Sequence, residues 1–174
     1  MTVAVEVDVR DLVGRPGSSR ELRLEQPIEG GMAIELAAVP ADRPVQAELL
    51  LESVVEGILA SGSVSGEMDL SCARCLRPIG HGFEVAVSEM FVEPERAEPD
   101  EDYLLPETGV IDIEPMLRDA VVLSMPFSPL CRPDCKGLCP RCGGDRNLDE
   151  CRCEPELADE RWDVLSRIEF PDES

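Results

Sequence analysis

The sequence predicts an α+β fold: a bent antiparallel sheet with one main helix packed on it, followed by a small cysteine-rich C-terminal module. Apolar residues alternate with polar ones through most of the N-terminal half, the period-two mark of strands with one buried face. A single stretch, Asp112 to Met125, switches to steps of three and four. Six of the eight cysteines then crowd between Cys131 and Cys153.

In chain order, Val3, Val5, Val7 and Val9 alternate with small or acidic residues and predict a first strand. A turn follows at Gly14-Arg15-Pro16-Gly17-Ser18, and Leu22/Leu24 and Met32/Ile34/Leu36 predict two short strands. From Val45 a longer β region runs through Ala47, Leu49 and Leu51, then Val54 to Leu59, then Val64, Met68 and Leu70. Gly57, Gly62 and Gly66 interrupt it, as glycines do at turns or bulges. Alternation resumes at Phe83, Val85 and Val87, which sets Cys72-Ala73-Arg74-Cys75 at the tip of a hairpin.

Glu93 to Glu107 holds seven acidic residues, one arginine and three prolines. Such a segment buries too little apolar area to offset its ordering entropy and predicts a flexible acidic loop over 93–108. In the stretch after it, Ile113, Met116, Leu117, Ala120 and Val121 share one face, Pro115 suits a first turn and Pro126 ends the pattern. Trp162, Leu165 and Ile168, spaced by three behind Asp159, predict a short terminal helix. The 174 residues thus divide into a β-rich body, 1–130, and a cysteine-rich module with that helix, 131–174.

Composition excludes several classes. Aromatics are 3% of the chain, so the core is aliphatic, and no apolar run approaches the roughly 18 residues of a membrane span. The first ten residues lack a basic leader followed by an apolar run, which predicts a protein that stays in the cytoplasm. One histidine and one lysine leave little for acid–base or Schiff-base catalysis, and no small-molecule substrate is expected. The net charge of -21 opposes broad contact with nucleic acid.

In a reducing compartment, clustered thiols read as metal ligands or redox groups rather than disulfides. Cys139-Pro140-Arg141-Cys142-Gly143-Gly144 is a zinc knuckle in sequence: two thiolates face one tetrahedral ion from a tight turn, and the glycine lets backbone amides approach sulfur. Cys151-Arg152-Cys153 completes a preferred four-thiol set with it, which leaves Cys72, Cys75, Cys131 and Cys135 for a second. The spacing of Cys135 and Cys139 lets them exchange roles, so the pairing and the number of ions, one or two, stay open. Zinc is the expected ion and iron fits the same knuckle. Disulfides and oxidisable sensor thiols are the competing readings, and His81 is either a reserve ligand or plain polar surface. Four protein ligands leave no position for a reactive water, which argues against an enzyme.

Around the cysteines stand Arg74, Arg77, Arg132, Lys136, Arg141, Arg146 and Arg152, against Asp134, Asp145, Asp149 and Glu150. With two zinc ions on eight thiolates this region would carry about -1, so the acidity lies in the body. Those cations either meet RNA or hydrogen-bond their own loops.

The run Cys72-Ala73-Arg74-Cys75-Leu76, the helix Ile111 to Leu123, the segment Cys131-Arg132-Pro133-Asp134-Cys135-Lys136-Gly137-Leu138-Cys139-Pro140-Arg141-Cys142-Gly143, Cys151-Arg152-Cys153 and the closing Asp159-Glu160-Arg161-Trp162 resemble the YceD family of small bacterial and plastid proteins. The resemblance implies a role in accumulating large-subunit (23S) ribosomal RNA, and genes of that family tend to lie beside the gene of a zinc-ribbon ribosomal protein of the same subunit. It implies a ribosome-biogenesis factor rather than an enzyme, with its hairpin motif at Cys72 and Cys75 and its knuckle at Cys139, Cys142, Cys151 and Cys153. The expected partner is a basic large-subunit ribosomal protein or pre-rRNA met through the arginines of the cysteine region, and no membrane. The alternative is a redox- or metal-sensing zinc-thiolate protein.

Overall fold

The computed structural model describes residues 5–99, 102–148 and 151–153. The chain forms two compact units, Met1–Cys135 and Lys136–Ser174. The terminal helix expected behind Asp159 lies outside the described residues.

The first unit is mostly antiparallel sheet with one helix. Strand β1, Glu6–Asp8, pairs with β8, Val110–Asp112. The larger sheet contains β2, Ser19–Pro27, β3, Met32–Ile34, β4, Ala37–Val39, β5, Pro44–Ser53, β6, Gly57–Ser71, and β7, Pro78–Val92. Its order is β2-β5-β6-β4-β3, and β7 pairs with β6 along their whole length from Gly57↔Val92 to Ser71↔Pro78. β6 spends its other edge on two partners, β5 across Ile58 to Ser65 and β4 at Asp69 and Leu70.

The period-two residues do what their spacing predicts. Val45, Ala47, Leu49 and Leu51 of β5 and Ile58, Ala60, Val64 and Met68 of β6 are buried on one face. The opposite face is wet and carries Gln46, Glu48, Ser63, Ser65 and Glu67.

Helix α1, Glu114–Ser124, closes the core with Met116, Leu117 and Val121. It starts later than the helix the resemblance implied, because Ile111 belongs to β8 opposite Val7. Asp112 makes the join: its Oδ1 accepts from the Val5 and Glu114 amides at 3.0 Å each.

Three other expectations change. The short strands β4 and β8 carry too few residues to show a period and exist only through their partners. Gly62 and Gly66 do not break the β region, which runs through both, and the turn falls earlier, where the Val54 amide meets the Gly57 carbonyl. Gly62 is needed for close approach: an added Cβ would fall 2.0 Å from the Glu48 carbonyl oxygen. The acidic segment is anchored at its end, with Leu105 buried and the Leu105 amide bonded to the Val92 carbonyl at 2.8 Å. Tyr103 packs on Phe91 and donates to Asp119 Oδ2 at 2.7 Å. Its charges made the segment look unable to bury anything, but Tyr103 and Leu105 suffice to dock one end.

Candidate metal centres

The hairpin tip between β6 and β7 is a knuckle. Cys72 N–H donates to the Arg77 carbonyl at 2.9 Å, and Leu76 N–H donates to the Cys72 carbonyl at 2.8 Å. In the second unit Cys139 N–H donates to the Gly144 carbonyl and Gly143 N–H to the Cys139 carbonyl, both at 2.8 Å. The two bonds join the same relative positions in Cys-Ala-Arg-Cys-Leu and Cys-Pro-Arg-Cys-Gly, so one local fold occurs twice. It demands a left-handed residue just after the second cysteine. Gly143 meets that demand at φ +70°, and Leu76 meets it at φ +56° against steric cost.

The first unit holds Cys72, Cys75, Cys131 and Cys135 with all four sulfurs within 4.8 Å of one another. Cys72 and Cys135 sulfurs lie 3.8 Å apart and those of Cys75 and Cys131 lie 3.7 Å apart. A tetrahedral ion with metal–sulfur bonds of about 2.3 Å has sulfur–sulfur edges of about 3.8 Å, whereas a disulfide measures about 2.05 Å. The donor set therefore fits a four-coordinate thiophilic ion, and the eight cysteines are free thiols. Ala73 N–H to the Pro129 carbonyl at 2.8 Å docks the post-helix segment on the hairpin. Arg74 Nη1 reinforces it by donating to the Cys135 carbonyl at 2.8 Å.

The second unit gathers Cys139, Cys142, Cys151 and Cys153, again within 4.8 Å. Leu138 and Asp145 bridge as antiparallel partners. Asn147 Oδ1 accepts from the Lys136 amide at 2.8 Å, which returns the loop to its start. The two groupings are the preferred ones of the sequence, and Cys135 and Cys139 do not exchange. They differ in exposure: Cys72, Cys75 and Cys135 are buried and Cys131 half-buried, whereas in the second group Cys139 alone is buried, Cys151 and Cys153 are half-buried and Cys142 is exposed. His81 joins neither group and sits exposed on β7 opposite Met68.

The backbone prepares one thiol in each group for ionisation. Amides of Cys131, and also Arg74 and Cys75, point at Cys72 and draw its pKa down to about 6. Amides of Cys142 and Arg141 do the same to Cys139, again to about 6. The neighbouring thiols move the other way: burial and the Cys135 thiol push Cys131 up to about 12, and Cys142 and Cys139 push Cys153 up to about 12. Four thiols this close resist joint ionisation until a cation offsets the charge.

The cations separate by role. Arg74 is committed to the Cys135 and Pro133 carbonyls, and Arg132 pairs with Asp134 at 3.4 Å. Arg141 and Arg152 stand exposed. Sequence reasoning missed Leu76 as a strained position, although its alignment with Gly143 in the second knuckle carried the signal. It also missed Asn147 as a clamp, which the Asp145-x-Asn147 turn pattern announced.

Residues 60–169 match the sequence profile of the family described as large ribosomal RNA subunit accumulation protein YceD. An uncharacterised protein of Mycobacterium tuberculosis is 38% identical over 171 residues, 95% of this chain and 82% of that protein. The Bacillus subtilis protein YlbN is 28% identical over 108 residues, 61% of this chain and 63% of its own length. A chloroplastic protein of Arabidopsis thaliana, large ribosomal RNA subunit accumulation protein YCED homolog 1, is 26% identical over 159 residues, 74% of this chain and 50% of its own. No solved structure matches the chain. The profile spans more than half of the sequence and includes every cysteine, and the mycobacterial relative aligns along nearly all of it: the chain belongs to the YceD family.

Proposed function

We propose that this chain is a non-enzymatic, cytoplasmic zinc-thiolate protein that supports accumulation of the large-subunit ribosomal RNA by binding a basic large-subunit ribosomal protein or its RNA precursor. Family membership implies the process. The observation that carries the molecular reading is the pair of four-thiol groups, each with its sulfurs within 4.8 Å of one another, the first with sulfur pairs at the 3.7–3.8 Å of a tetrahedral edge. Zinc held by Cys72, Cys75, Cys131 and Cys135, and by Cys139, Cys142, Cys151 and Cys153, supplies cross-linking without redox chemistry and leaves no ligand position for water. In the first group the tie joins residues 63 apart in sequence and fixes the hairpin to the segment after α1.

Charge favours a protein partner. A chain at -21 repels phosphate over the screening length of about 8 Å, and Arg74 and Arg132 serve their own loops. RNA contact falls to the exposed Lys136, Arg141, Arg146 and Arg152.

The test joins metal and process. Elemental analysis of the purified protein is expected to give two zinc ions per chain, and Cys139→Ser and Cys72→Ser one each. A deletion strain is expected to lose large-subunit rRNA, with rescue by the wild-type chain. Normal rRNA in the deletion, together with no enrichment of large-subunit components on pull-down, rejects the function; a metal-free protein rejects the zinc.

A second reading, a redox-responsive zinc protein, rests on the exposed Cys142. It expects mild peroxide to oxidise the second group first and release its ion while the buried group keeps its own.

A further inference from the structure

Beside α1 lies a cleft of about 370 Å³ lined by Glu89, Asp102, Tyr103, Asp119, Val122 and Leu123. Leu123, in the last turn of α1, is 83% exposed and adjoins the cleft's other apolar side chains. Tyr103 and Val122 lie partly buried against the core and form an apolar floor beside it. The rim is acidic throughout: Glu89, Asp102 and Asp119 are exposed, and none pairs with a cation among the described residues. The Tyr103 hydroxyl donates to Asp119 Oδ2 at 2.7 Å, which fixes that carboxylate on the rim. The nearest arginine in sequence, Arg118, faces away and is committed to Glu114 and to the Gly31 and Glu29 carbonyls.

We propose that this cleft is a docking site for a cationic protein segment that places an aliphatic or aromatic side chain against Leu123 and Tyr103 and arginines or lysines on the three carboxylates. The inference deepens the reading above, on which it rests, by locating the protein-binding surface. Charge selects the occupant. RNA would bring phosphates onto an unneutralised carboxylate rim, and a second copy would bring another chain of -21. A cationic segment offsets the rim, and its apolar anchor covers Leu123, the arrangement by which a central anchor and complementary charges share the work of recognition.

The probe is a short fluorescent peptide of alternating arginines around a central leucine, titrated against the full-length, metal-loaded chain at physiological ionic strength. The expected result is that Glu89→Lys with Asp102→Lys weakens binding at least about tenfold, and Leu123→Ser about fivefold. All three side chains are exposed, so the variants are expected to keep the wild-type fold and metal content. Glu21→Lys with Glu25→Lys on the outer sheet face is expected to change binding by less than about twofold. Equal losses from the two charge reversals, or no effect of Leu123→Ser, would overturn the cleft in favour of diffuse acidity. A photo-crosslinker at position 123, presented with purified large-subunit proteins and rRNA, is expected to label a basic protein; labelling of rRNA or a second copy overturns the proposal. Co-sedimentation separates the two levels. Cleft variants that sediment with large-subunit precursors as well as wild type remove the cleft and leave the function, whereas a wild-type chain that never sediments with them removes the function itself.

Discussion

Leu76 holds a left-handed conformation that its matching position in the second knuckle gives to Gly143. A left-handed non-glycine residue costs roughly 1–2 kcal/mol, and glycine returns part of that through its freer unfolded chain. Leu76→Gly is therefore expected to raise stability by about 0.5–1 kcal/mol, measured by urea denaturation of the metal-loaded protein with a Leu76→Ala control that gains nothing. Asp8 offers a pH test. Hydrogen bonds from the Arg10 side chain and backbone lower its pKa from 3.8 to about 2. Because the folded value is depressed, the pair's contribution is present above 3.8 and is lost as pH falls through about 2. Carboxylate NMR is expected to place Asp8 near that lower value in the wild type and raised only part of the way towards 3.8 in Arg10→Ala, where the backbone amide at position 10 still donates. Both side chains are exposed, so the global unfolding midpoint should barely move.

Within α1 the decisive interaction is electrostatic. The Glu114 side chain is 5% exposed and meets Arg118 one turn later, Nε to Oε1 at 2.8 Å. Arg118 continues to the Gly31 carbonyl at 2.7 Å and the Glu29 carbonyl at 3.0 Å, which ties the helix to the turn before β3. Arg118→Ala leaves a buried carboxylate without its cation and is expected to cost about 3 kcal/mol. The double variant Glu114→Gln, Arg118→Met is expected to recover much of that loss, since a neutral pair of similar size leaves no desolvated charge. Chemical denaturation of the two variants checks both. An unchanged midpoint in Arg118→Ala would remove the lock. Apolar spacing placed α1 in the sequence within a few residues, but nothing in the sequence singles out the Glu114–Arg118 pair, because burial of one partner depends on where the Gly31 turn lands.

Across the chain, the two thiol groups bring together residues at different separations. The first joins residues 72 and 135 and closes the hairpin, the helix and the segment after it into one loop; the second closes only residues 139–153. Removing metal with a strong chelator is expected to destabilise the first unit by several kcal/mol, since binding energy at a site absent from the unfolded chain is folding energy. The exposed second group should exchange its ion sooner, which metal-release kinetics with a chromogenic chelator would show as two phases. Cys139→Ser should abolish the fast phase, and persistence of both phases in that variant would contradict the assignment.

The sequence alone determined the strands with long alternation, the helix and the Cys-x-x-Cys turns at Cys72 and Cys75 and at Cys139 and Cys142, while the division of the eight thiols into two sets stayed open. Those features are local: a period of two or of three and four, or a Cys-x-x-Cys turn, is set by neighbours along the chain. Only the tertiary structure decided that β4 and β8 exist, that Gly62 continues β6 because the Glu48 carbonyl leaves no room for a side chain, and that Tyr103 and Leu105 draw the end of an acidic segment onto the core. It also decided that Cys135 sits with Cys72 rather than with Cys139, and that Leu123 remains uncovered above three carboxylates. Each of these depends on contacts between residues far apart in sequence, whose energies no local pattern records.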